Sequence, residues 1–220
     1  MTKREEGGFT ITELTISVTI AGFLAAILFI VTFYYYANVI QSEVSTEMAL
    51  GSQSILAQMT DDIRLADAIA STNLLADANQ PGGGWATNDP SNILIIESPA
   101  VTSARDIIFD PDTGFPYRNE YIYFTSGNNM YKRVLANTAA TGNTAVTTCP
   151  TALATPSCPP DRLLSNLVSN VSFTFYDSSN VTTADASQAR SVTLNIDMAK
   201  KAFGKNVTLS NATRITLRNQ

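Results

Sequence analysis

Few side chains in this chain can do acid–base or metal chemistry, because its 220 residues include no histidine. That absence removes the commonest general base, the commonest metal ligand and the usual Ser/His and Cys/His nucleophile pairs. The two cysteines, Cys149 and Cys158, lie in "CPTALATPSC" with no CxxC spacing and no second ligand pair, so a zinc site is not expected. Asp61 and Asp62 are adjacent; on a helix they diverge and do not form a catalytic dyad. "DPDTG", Asp110 to Gly114, resembles the opening of a calcium loop. Gly114 takes the place of the third oxygen ligand and Glu120 falls one residue early, so the segment reads as a proline-aspartate turn. No cofactor is therefore expected, with calcium kept as a minor alternative. No phosphate-binding loop is present either, and the chain is not expected to be an enzyme.

Two further charged features bear on function. Lys200, Lys201 and Lys205 in "KKAFGK" read as a solvated turn, with a nucleic-acid contact as the sharper alternative. A net charge of −5 argues against a broad nucleic-acid footprint. The other is Glu13, an acid at the edge of a long apolar run in "GGFTITELTISVTIAGFLAAILFI". No charge follows until Glu43, an interval longer than the ~20 residues a helix needs to cross a bilayer. Lys3 and Arg4 precede it, which keeps residues 1–8 cytoplasmic and the rest of the chain outside. In an oxidising compartment Cys149 and Cys158 are expected to pair, closing a short ring worth about 2–3 kcal/mol on the chain-entropy estimate.

Small residues precede the apolar run here, whereas a secretory signal carries them after it. A cut after Gly8 would leave the apolar segment on the mature chain and create an amine on Phe9. Phe9 and Glu13 are four residues apart, hence on one helix face. Glu13 also lies in the first helical turn, where the dipole favours an anion. A carboxylate so near lipid needs a partner, either this amine or that of a neighbouring chain.

Glycine, then phenylalanine, then glutamate four residues later, then an unbroken apolar helix: this order resembles the N-terminal motif of type IV pilins and type II secretion pseudopilins. The resemblance implies cleavage between Gly8 and Phe9 by a prepilin peptidase and N-methylation of Phe9. It implies that Glu13 pairs with an adjacent subunit's N-terminus during assembly. Implied partners are other pilin or pseudopilin subunits, the peptidase and an inner-membrane assembly platform. Implied locations are the cytoplasmic membrane, with one pass, and then an extracellular or periplasmic filament. Many major pilins carry a proline inside this helix. Here the first proline is Pro81 and Gly22 is the one weak point, which leans toward a minor subunit. A major pilin, and a signal-anchored binding or adhesion protein that never polymerises, remain alternatives.

These features need elements to position them. Val44, Met48, Ile55, Met59, Ile63, Ala66 and Ala70 recur at helical spacing, so one helix is expected from Phe9 to about Ala70, roughly 90 Å long. Asp62, Ile63, Arg64 and Ala66 are similar to the pattern in W-type minor pilins and J-type minor pseudopilins. "NQPGGGWATNDPSN" is a loop, with Trp85 either a binding aromatic or a lid over the core. "NILIIES" and "RDIIFD" read as strands, and "EYIYFTSGNNMYKRVL" as a hairpin. Three alternating strands follow: Val171, Phe173 and Phe175; Val192, Leu194, Ile196 and Met198; then Ile215 and Leu217, all facing inward. The expected fold is α+β, a long helix packed on an antiparallel sheet. Its divisions are a leader (1–8), a membrane or filament-core segment (9–42), an amphipathic half-helix (43–72) and a β-rich domain (73–220).

Overall fold

A single helix, α1, runs from Ile11 to Leu65 without interruption. The computed structural model describes residues 10–82, 84–87 and 93–217. Its 55 residues give a length of roughly 80 Å. No proline breaks it, and Gly22 is accommodated with open space around its Cα. The half up to Val39 has every large apolar side chain exposed. Two of its hydroxyls are satisfied by the helix itself: Thr15 donates to the Ile11 carbonyl (2.7 Å) and Thr19 to that of Thr15 (2.8 Å). Internal satisfaction is what a segment in lipid requires. This half is long and apolar enough to cross a membrane.

The second half is different. Val44, Met48, Ser52, Ile55, Met59 and Ile63 form a buried stripe spaced three or four residues apart. The helix stops at Leu65, short of Ala70. Ala66 is extended, and Asp67 N–H donates to the Glu97 carbonyl at 2.8 Å. Ala68–Ala70 then forms strand β1, paired antiparallel with Ile95, Ile96 and Glu97. The apolar spacing of Ala66 and Ala70 reflects burial, but Ala66 is the C-cap and Ala70 lies in a strand. Tertiary pairing overrode the helical period.

The β domain has two antiparallel sheets where one was expected. The first is ordered β1-β2-β3-β4-β5, with β2 Leu94–Pro99, β3 Arg118–Ser126, β4 Asn129–Leu135 and β5 Arg162–Ser165. The second is ordered β7-β6-β8-β9, with β6 Val168–Tyr176, β7 Thr182–Thr183, β8 Ser191–Ala202 and β9 Lys205–Thr216. The β3–β4 hairpin turns on Gly127-Asn128, with Gly127 at φ 60°, a conformation open to glycine. "RDIIFD" is not a strand. It makes only isolated bridges, Val101 to Ile107 and Phe109 to Pro116.

The stripe of α1 packs against both sheets. Met59 and Ile63 share a core with Leu94, Ile96, Tyr123 and Met130 of the first sheet and with Val171, Leu194, Ile196 and Ile215 of the second. The first sheet is covered on its other face too, where Ile95, Ile122 and Leu135 meet Trp85 and Ala70. Double coverage explains why Leu94, Ile95 and Ile96 are an unbroken apolar run, while β8, covered on one face, alternates. Met59→Ala should therefore lower the unfolding free energy of the β domain by about 2–5 kcal/mol. Ile20→Ala, in the bare half, should leave it unchanged. Denaturant titration of the detergent-solubilised chain, followed by Trp85 fluorescence, checks both.

Candidate functional site

Three polar constellations stand out, and each lies where the helix or a loop must be held. The first is the head of α1. Thr10 is the N-cap, and its hydroxyl accepts from Glu13 N–H at 3.3 Å. Glu13 Oε2 in turn accepts from Thr10 N–H (3.0 Å) and from the Thr10 hydroxyl (2.8 Å). This reciprocal capping box satisfies two orphan helix donors and fixes the carboxylate at the helix head, facing outward. Gly8 and Phe9, the expected cleavage and methylation residues, lie outside the described residues.

The second constellation locks the other end of α1 to the first sheet. Asp62, near the end of α1, is paired with residues far away in the sequence. It accepts from Lys132 Nζ at 2.5 Å and from the Tyr123 hydroxyl. Lys132 also lies 4.0 Å from the centre of the Tyr121 ring. Burial, then the Asp62 charge, push the Tyr123 hydroxyl well above the usual phenol range, so it stays a donor. Asp61 is exposed. Just beyond the helix, Arg118 bridges Asp67 (3.3 Å) and Glu97 (2.7 Å). Glu120, opposite Glu97 in register, accepts from the Leu74 and Leu75 N–H groups at 2.6 and 3.2 Å. Burial holds its carboxyl above the usual range.

The third is a buried ion triad. The Arg133 guanidinium gives Nη1 to Asp77 (2.8 Å) and Nη2 to Asp161 (2.6 Å), and all three side chains are at most 4% exposed. Trp85 Nε1 donates to Asp77 at 2.8 Å, and Thr148 donates to Asp161 at 2.8 Å. The Arg133 cation sits over the Trp85 and Phe124 rings, at 5.2 and 5.6 Å. Trp85 is thus a lid, 5% exposed, whose indole N–H is satisfied. Burial raises the Asp77 pKa, but donors from Trp85, Asn79 and Arg133 outweigh it and leave the carboxyl below its ordinary value.

Cys149 and Cys158 are bonded, with Cα atoms 5.6 Å apart. The disulfide ring lies beside the triad: Asp161 N–H donates to the Cys149 carbonyl (2.7 Å), and Asn79 contacts Cys149 Sγ at 3.5 Å. The ring therefore presents Asp161 to Arg133. A cleft of about 380 Å³ opens here between Trp85, Tyr131 and Pro150. Its one cation, Arg133, is already committed to both carboxylates and to the Asn79 carbonyl (3.1 Å). Both acids of the triad are thus paired with the one shared arginine. Asp110, in the calcium-like segment, accepts from Asp112 N–H (3.0 Å) and the Thr113 hydroxyl (2.8 Å) of its own turn.

The disulfide and Glu13 are where the sequence placed them, in separate regions of the molecule. Arg133, Asp77 and Asp161 were missed. One signal was available: Arg133 shares a strand face with Leu135, in a hairpin whose other face supplies Met130 to the core. Comparison with protein-family models and with curated proteins finds no match for this chain.

Removing Arg133 would leave two buried carboxylates without a counter-charge. Arg133→Met should cost about 3–5 kcal/mol in a denaturant titration. Asp77 has a folded pKa below its ordinary 3.8, so its contribution is full above that value and is lost as pH falls through the folded pKa. The stability gap between wild type and Asp77→Asn should be largest at neutral pH and narrow below about pH 4. A gap that widened on acidification would contradict the triad's charge assignment.

Proposed function

We propose that this chain is a minor pilin or pseudopilin: a structural subunit, not an enzyme, that joins a helical filament of type IV pilus or type II secretion type through α1. The observation that carries the reading is the division of one helix into two solvents, with an acid fixed at its head. The bare half suits lipid first and neighbouring helices later. The striped half holds the β domain outside the membrane. In this reading a prepilin peptidase cuts between Gly8 and Phe9, and Phe9 is methylated. Assembly then exchanges lipid contacts for helix contacts.

Glu13 supplies the direction of that exchange. The capping box already stabilises the carboxylate in a single subunit, so insertion does not need a partner. A neighbouring subunit's N-terminal amine adds a charge-assisted hydrogen bond that is strong in a low-dielectric filament core. That gain exists only in the assembled state. The Cys149–Cys158 disulfide suits a domain that works outside the reducing cytoplasm.

Glu13→Leu should therefore insert into the membrane normally and fall by about tenfold or more in the sheared filament fraction, since losing even one charge-assisted bond is worth roughly 1.5–3 kcal/mol. Immunoblotting of membrane and filament fractions measures both. Normal incorporation of Glu13→Leu would remove the proposed mechanism.

A further inference from the structure

The β8–β9 hairpin turns on Phe203-Gly204, with Ala202 paired to Lys205. Both central residues have positive φ, 49° and 77°. A two-residue turn of this kind normally takes asparagine or glycine first, and a phenylalanine there is sterically disfavoured. Nor does burial account for it, because Phe203 is 43% exposed. A strained, exposed aromatic at a hairpin tip points to something outside the domain.

The position of the tip identifies what that is. The hairpin runs down α1 toward its bare half: Asn211 donates to Ser52, Lys200 pairs with Glu47 at 2.7 Å, and the Phe203 ring stands edge-on to Phe33 at 5.3 Å. Leu14 to Phe33 is about 20 helical residues, which rise about 30 Å, the thickness of a bilayer's hydrocarbon core. Exposed Tyr34, Tyr35 and Tyr36 follow at once, the residue type that gathers at the membrane–water interface. Phe203 therefore lies at the outer edge of the apolar span. Lys201 and Lys205 stand exposed on either side of it. An aromatic ring flanked by ammonium groups at this level matches the interface of a bilayer with anionic headgroups.

We propose that the β8–β9 tip is a second membrane contact, in which Phe203 enters the interface beside α1 while Lys201 and Lys205 bind headgroup phosphates of anionic lipids. The contact would fix the β domain's tilt on the membrane before assembly. It rests on α1 spanning the bilayer, but not on filament formation. A nucleic acid would be met by the same lysines without needing an aromatic beside the membrane helix.

The test uses the full chain carrying Phe203→Trp, reconstituted into phosphatidylcholine vesicles with and without phosphatidylglycerol, with bromine-labelled acyl chains as quencher. Co-flotation of protein with vesicles reports α1 separately. The added tryptophan emission, above that of the parent's Trp85, should be quenched about twofold or more in the anionic vesicles. Lys201→Gln with Lys205→Gln should weaken that quenching while co-flotation stays intact. Quenching no greater than the parent's, with co-flotation intact, would overturn the tip contact and leave α1 standing. Loss of co-flotation would overturn both. Lysine-dependent, salt-sensitive binding of duplex DNA, with quenching unaffected by the lysine changes, would reassign the lysines to nucleic acid.

Discussion

The buried stripe from Val44 to Ile63 is the contact on which the rest of the molecule depends. It is the only part of α1 with a core on one side, and that core draws on both sheets. From Ile11 to Val39 the large apolar side chains of the helix stay exposed. The stripe thus sets where the β domain ends and where the helix becomes available to lipid or to other helices. It also sets the axial position of the β8–β9 hairpin, through Ser52 with Asn211 and Glu47 with Lys200.

Polar groups then hold what the stripe cannot. The segment from Ser71 to Thr87 has little regular structure and contributes few core side chains. It is fastened by ions and hydrogen bonds: Asp77 to Arg133, Trp85 to Asp77, and the Leu74 and Leu75 N–H groups to Glu120. Burying three charges is expensive, and only full pairing offsets the lost hydration. Arg133 meets that condition because its planar fork reaches both carboxylates at once. The disulfide ring supplies one of them in a fixed place, which couples an oxidised Cys149–Cys158 bond to the integrity of the far face of the sheet.

Much of this was legible from periodicity. The stripe and the alternating strands β6, β8 and β9 each bury one face, and a single buried face leaves a period in the sequence; the β3–β4 hairpin, covered on both faces, was legible from its β-rich flanks and turn residues. Three features were not legible for physical reasons. Ala66 to Ala70 kept a helical period although Asp67 had turned to pair with Glu97. The split into two sheets depends on which strands pair, information that short apolar runs do not carry. The ion triad joins residues 77, 133 and 161, and each looked in isolation like an ordinary surface charge. Glu13 was legible for the opposite reason: its whole environment is local, within the first turn of the helix.

In the proposed function one helix serves two surroundings in turn, and the step that would separate a permanent anchor from a filament subunit is the exposure of an amine at Phe9. Intact-mass and N-terminal sequence measurement on protein recovered from the envelope and sheared-filament fractions of its native cell tests this most directly. The account predicts a filament species that lacks residues 1–8 and begins at Phe9 with one added methyl group. A mature species that retains Met1 through Gly8 in both fractions would contradict it.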